Sequence, residues 1–177
     1  LPRLVRSLSV ELGKPIELDM QGGETELDRQ LLELIKDPLA HMVRNAADHG
    51  IETAEQRKAA GKAARGRIVL KAAQEGGHIV ITLADNGRGI DVARLKAKAV
   101  ALRLVTETDA AQLSALQAQR LVFHPGLSTA EQVTSVSGRG VGMDVVRANI
   151  EKIGGAIDIE STAGKGTQFT IRIPLTL

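Results

Sequence analysis

Two pairs of alternating apolar runs, each folded back at a glycine turn, constrain this chain more than any other feature. Arg67–Ala73 and His78–Ala84 flank Glu75-Gly76-Gly77, and Ala156–Glu160 and Gln168–Leu175 flank a turn at Gly164–Gly166. Period-two runs around such turns predict antiparallel hairpins. Helical periodicity fills most of the rest: residues 2–12, with Pro2 in a first turn and Gly13 as the stop, then 28–49, 52–60, 91–104, 109–119 and 143–153. Asp37-Pro38 interrupts the longest of these and either kinks one helix or opens a second. Residues 15–20 alternate as a further short strand before Gly22-Gly23. Helices followed by antiparallel strands predict one α+β domain over residues 1–177, with helices on one face of the sheet. Residues 124–142 are rich in Pro, Gly, Ser and Thr and predict a long loop, which in a compact domain is more often functional than idle.

Composition removes several functions. There is no cysteine, which excludes disulfides, thiol nucleophiles and Cys-ligated metals. Phe123 and Phe169 are the only aromatic residues and the formal charge is +2, so neither a stacking platform nor a strong field for nucleic acid is present. No apolar run approaches the length of a membrane span. Charge is uneven: residues 41–71 carry seven basic and three acidic side chains, either a solvated helix surface or an anion-facing rim. The chain opens on Leu1 with no signal-peptide pattern, and we expect it to be a piece of a longer polypeptide.

Four short segments carry chemistry. In the first, His41, Arg44, Asn45, Asp48 and His49 recur at helical spacing and line one side of a helix, while Leu39, Met42, Val43 and Ala46 form its apolar side. Asn disfavours mid-helix positions, so the stripe needs a reason. An Asn oxygen suits Mg²⁺ shared with phosphates and waters, whereas two histidines eight residues apart do not suit zinc. His49 also fits a plain structural role beside the helix stop. The second segment, Asp85-Asn86-Gly87-Arg88-Gly89, follows a strand. Asp85 could accept a hydrogen bond from the exocyclic amine of adenine, with Gly87 and Gly89 permitting close approach of a flat ligand, but an ordinary turn has the same pattern. The third, Ser137-Gly138-Arg139-Gly140-Val141-Gly142-Met143, runs from the loop into a helix, where exposed amides favour anions; it is neither a Rossmann nor a Walker A sequence. The fourth, Gly164-Lys165-Gly166-Thr167, is a hairpin turn whose Thr167 could also reach a base.

In this order, the four segments resemble the ATP-binding domain shared by histidine kinases, Hsp90, DNA gyrase B and MutL, in which they correspond to the N box, the G1 and G2 boxes and the last glycine element. The resemblance is closest to the P4 kinase domain of the CheA family of chemotaxis histidine kinases. It rests on His41-x-x-Arg-Asn-x-x-Asp-His-Gly50, the lead-in Leu1-Pro-Arg-Leu-Val-Arg6, Glu26-Leu-Asp28, Phe123–Ala130 and Val136–Val146. It implies a two-layer α/β sandwich of Bergerat type, with a mixed, mostly antiparallel sheet and a mobile ATP lid over about 122–142. It also implies ATP and Mg²⁺ as cofactors. Asn45 would hold the metal, with His49 near the phosphates and Asp48 among the nucleotide-binding residues. Arg44, Arg94 and the Gly138–Gly142 amides would clamp the phosphate tail, and Asp85 would read adenine. Arg94 stands where family members often carry Lys. Sensor kinases and gyrase-like ATPases carry Glu one turn before the N-box Asn; His41 here favours phosphoryl transfer to a protein histidine over hydrolysis, acting as a base or as a charge partner. The expected acceptor is a separate P1-type phosphotransfer domain. A dimerisation domain, a CheW-like coupling protein, chemoreceptors and response regulators would belong to the full-length, cytoplasmic system, with this fragment monomeric. Rival readings are a gyrase, MutL or Hsp90-type ATPase, an anti-sigma-factor kinase, and a nucleotide-binding scaffold.

Overall fold

The computed structural model describes residues 1–22, 29–127 and 142–175. Its centre is a five-stranded sheet of β1 (Ile16–Gln21), β2 (Gly66–Glu75), β3 (His78–Asp85), β4 (Ala156–Thr162) and β5 (Gly166–Pro174). The spatial order is β1-β2-β3-β5-β4. Both expected hairpins form as antiparallel pairs, β3 also pairs antiparallel with β5, and β1 joins parallel to β2. This is the Bergerat-type arrangement with a mixed, mostly antiparallel sheet.

The alternation in the strands decides which face is covered. Ile68, Leu70, Ile79, Ile81, Leu83, Ile159, Ile171 and Ile173 are buried, whereas Lys71 and Arg172 on the opposite face are exposed. Helices α1 (Pro2–Leu12), α2 (Arg29–Asn45) and α7 (Met143–Lys152) complete the layer. They contribute Val5 and Leu8, Ile35, Leu39, Met42 and Val43, and Val146 and Ile150 to the same apolar cluster. Each such side chain stabilises the fold by about 1.5–3 kcal/mol through removal from water. Helix α1 ends at Gly13 in the left-handed region, where the amides of Gly13 and Lys14 bond back to Val10 and Ser9.

Several elements depart from the sequence expectation. Helix α2 runs through buried Pro38 without dividing, and its continuation, Ala46–Gly50, widens into a π-helical turn. Helix α3 (Ala54–Ala59) starts at a capping box between Thr53 and Gln56. The expected helix 109–119 is two helices, α5 (Glu107–Gln112) and α6 (Ala115–Gln119), separated by extended Leu113. Ser114 accepts from the Gln117 amide while Gln117 answers the Ser114 amide, so a second capping box restarts the chain. Helix α4 (Val92–Ala101) is capped by Asp91. A 3₁₀ turn, Arg120–Phe123, leads into the expected long loop, and Phe123 just before it and Leu127 within its first residues are buried. Residues 128–141, with Ser137, Gly138, Arg139, Gly140 and Val141, lie outside the described residues, as do Glu26 and Asp28.

Candidate functional site

The strand register places the site at one end of the apolar face. Leu70, Leu83, Phe169 and Ile159 lie side by side across four strands. Two residues along, the same row reads Ile68, Asp85, Thr167 and Ser161. A hydrophobic floor therefore ends in a carboxylate and two hydroxyls, with Ser161 Oγ 3.0 Å from Thr167 Oγ1. The end of α2 and its π turn form the facing wall. Together they enclose a cavity of about 290 Å³ whose lining includes Asn45, Gly50, Asp85, Ile90, Thr167 and Phe169. Gly89, Leu127 and Met143 line it as well.

Backbone contact closes the floor so tightly that two glycines have no alternative. A Cβ on Gly87 would lie 2.0 Å from the Gly50 carbonyl oxygen. Gly166 has φ +131°, and a Cβ there would lie 1.9 Å from the Asp85 carbonyl oxygen. Within this enclosure Asp85 Oδ1 accepts from the Gly87 amide at 2.9 Å. Burial pushes the Asp85 carboxyl up to about 6, against the opposing pull of the Gly87 and Thr167 amides. A carboxylate stripped of water at the end of an apolar slot is a selective acceptor for an N–H donor on a flat ligand.

The cavity opens into a wider recess of about 1110 Å³ lined by His49, Arg88, Arg94 and Lys98, with Ser161 and Thr162 on the sheet side. Cations dominate this mouth, so a ligand with an apolar head and an anionic tail matches both ends. At the inner edge Asn45 Nδ2 lies 3.2 Å from His41 Nε2. Burial, then Arg44, hold His41 below its ordinary value, opposed by Asp144 of α7. With Nε2 unprotonated, the Asn45 amide nitrogen supplies the hydrogen of this contact.

The sequence of residues 35–177 matches the family described as histidine kinase-, DNA gyrase B- and HSP90-like ATPases. The chain belongs to this family. Within it, the chain is 52% identical over 176 residues to the sensor histidine kinase CheAY of Helicobacter pylori and 51% identical to the chemotaxis protein CheA of Klebsiella aerogenes. Each match covers 99% of this chain but only 22% and 26% of those relatives, so the chain spans about a quarter of their length. Among solved structures, the histidine kinase domain of the Erythrobacter litoralis EL346 blue-light activated histidine kinase shares the fold with a TM-score of 0.54 at 16% identity. That match covers 99% of this chain and 59% of that one.

Against this family's motifs, Asn45, His49, Asp85, Gly89, Arg94, Met143 and Thr167 line the cavity and its mouth. His41 stands behind Asn45, and buried Gly87 stands beneath Asp85. Gly142 is the cap residue of α7. Arg44 is half-buried beside His41, and exposed Asp48 lies 3.7 Å from His49. Sequence reasoning missed Lys98, one helical turn beyond Arg94. It also missed Lys14, which is buried and donates to the Ala47 and Asp48 carbonyls at 3.1 and 2.7 Å, capping the ligand-facing turn. The reading of residues 41–71 as a solvated or ligand-facing basic surface is corrected at Arg57 and Lys62. Arg57 is 1% exposed, and both side chains turn inward to Glu52.

Proposed function

We propose that this chain is the ATP-binding catalytic domain of a CheA-type protein histidine kinase, moving the γ-phosphoryl group of ATP to a histidine on a separate phosphotransfer domain. The observation that carries this reading is the pairing of Asn45 with His41 at the cavity edge, opposite an enclosed Asp85. Asp85 accepts from the adenine amine, and Phe169, Ile90 and Met143 pack against the base. Arg94 and Lys98 neutralise the phosphates, with His49 beside them.

The Asn45 oxygen fits Mg²⁺, which prefers hard oxygen ligands and shares them with phosphates and water. When bound, Mg²⁺ supplies charge neutralisation to the transferring group. His41, by engaging the Asn45 N–H, fixes which end of that amide faces the ligand. Phosphoryl transfer leaves little covalent work to the enzyme; orientation, charge and exclusion of water supply the effect. As a proposal for the whole system, the acceptor is a P1-type domain and the full-length cytoplasmic protein adds a dimerisation domain and works with a CheW-like coupling protein, chemoreceptors and response regulators, the isolated domain being a monomer.

Phosphotransfer tests this directly. The domain is mixed with γ-labelled ATP, Mg²⁺ and a panel of isolated phosphotransfer domains, with Asn45→Asp as the control. We expect acid-labile, base-stable label on one acceptor, lost in the variant. Phosphate release to water with no labelled acceptor would replace this reading with a gyrase- or MutL-type ATPase.

A further inference from the structure

Behind the Asp85 loop, on the side away from the cavity, lies an ion cluster that touches no ligand-facing atom. Arg57 Nη1 donates to Glu52 Oε1 at 2.8 Å and to the Asn86 carbonyl at 3.0 Å, and Arg57 Nε donates to the Ala63 carbonyl at 2.7 Å. Lys62 Nζ donates to Glu52 Oε2 at 2.7 Å, to the Gly87 carbonyl at 2.8 Å and to the Asn86 carbonyl at 3.3 Å. Two cations face one carboxylate, so the surplus positive charge is met by loop carbonyls. Hydrogen bonds from ionised donors are the stronger kind.

The covalent geometry of the loop gives this cluster a consequence. In a trans peptide the C=O and N–H point in opposite directions. The peptide joining Asn86 to Gly87 has its oxygen held by Arg57 and Lys62 and its N–H bonded to Asp85 Oδ1. Fixing the oxygen therefore aims the N–H, and the N–H orients the carboxylate together with the Thr167 amide. The rest of the loop is anchored independently: the Asn86 amide bonds to the Arg67 carbonyl, Arg88 to the Gly50 carbonyl, and Ile90 to Ser161 Oγ. The cluster holds the oxygens of two successive peptides, Asn86–Gly87, which addresses Asp85, and Gly87–Arg88, which Lys62 reaches at the Gly87 carbonyl.

We propose that Arg57 and Lys62, balanced by Glu52, are positioning residues that set base selectivity by orienting the peptide that aims Asp85. This rests on the nucleotide reading above. The cluster touches no substrate; besides the loop, the charges of Glu52 and Lys62 act on the Asp85 carboxyl in opposite senses, and Lys62→Arg keeps that charge.

The test uses Lys62→Met and Lys62→Arg, titrated calorimetrically with ATP and with GTP in Mg²⁺. Amide exchange at Gly87 is followed by NMR without nucleotide. We expect Lys62→Met to weaken ATP binding about tenfold, in line with loss of a charged hydrogen bond. GTP binding should be unchanged, so the ATP-to-GTP ratio contracts about tenfold, exchange at Gly87 accelerates, and Lys62→Arg recovers most of the ratio. A merely structural cluster would lower the melting temperature and leave the ratio intact. A ratio within twofold of wild type in Lys62→Met therefore overturns the proposal even if exchange accelerates. Should that variant not fold, Arg57→Lys, which keeps charge but gives up the fork, is read the same way. Wild-type protein that binds neither nucleotide overturns the nucleotide reading and this inference together; wild-type selectivity with indifferent variants overturns this inference alone.

Discussion

The two ends of the cavity are built on opposite plans. The end assigned to the base is backbone against backbone: the Gly87 and Gly50 chains touch, Gly166 crosses Asp85, and the loop amides are tied to neighbouring segments. The end assigned to the phosphates consists of long cationic side chains on and beside α4, with Arg88 and Arg94 exposed. The physical demands differ. Telling one base from another depends on hydrogen-bond direction, which tolerates little displacement. Neutralising phosphate depends on Coulomb attraction, which falls slowly with distance and accommodates mobile charges. Rigidity is thus concentrated where direction matters.

This contrast can be broken by substitution. The largest effect is expected at Gly87→Ala, because the new Cβ meets a carbonyl oxygen that no rotamer change can move. Thermal melting should show a loss of about 2–3 kcal/mol, with adenine-nucleotide binding abolished. An unchanged melt would mean that the floor is softer than described.

Asp85→Asn separates affinity from stability. Loss of the charged acceptor should weaken ATP about 30-fold or more by calorimetry. The nucleotide-free domain should melt about 3 °C higher, since a buried charge is removed. The sign follows from the raised carboxyl. Between the ordinary carboxylate value of 3.8 and about 6 the folded domain holds a proton that the unfolded chain has lost. Stability without nucleotide therefore falls as pH rises through that window, and the full cost is present above about 6. A variant that melts lower than wild type would contradict this.

A smaller effect of the same group is its titration. Lowering the pH from about 7.5 to about 5.5 protonates Asp85 and should weaken ATP about fourfold, with the midpoint near 6. The loss should vanish in Asp85→Asn. The smallest effect is expected at the cationic mouth. Arg94→Ala should weaken ATP about threefold at low salt, leave adenosine binding unchanged and lose its effect at about 0.5 M salt. An equal loss for adenosine would place Arg94 in base recognition and erase the contrast between the two ends.

Much of this molecule was legible in its residues. The two hairpins, the polar stripe from His41 to His49 and the Asp85 turn declare themselves through period, glycine and an unfavourable mid-helix Asn. The division between α5 and α6 was legible too, in Ser114 three residues before Gln117, but continuous helical spacing outweighed a cap that only a local reading weighs. The parallel pairing of β1 with β2 was not, because β1 has no short turn to a neighbour and its register with Gly66–Lys71 is a long-range contact.

By itself the sequence determined the kinds of elements, the apolar face of each, and several of the polar residues that the fold brings to the cavity, Asn45, His49, Asp85 and Thr167 among them. Periodicity and turn chemistry are local, and locality is what a string of residues records. Only the tertiary structure decided which charges leave water. Lys14, Glu52 and Arg57 have the composition of a solvated surface, yet they lie inside, at a helix end and behind the Asp85 loop. Burial of a charge is settled by the partners that surround it, and those partners come from segments distant along the chain.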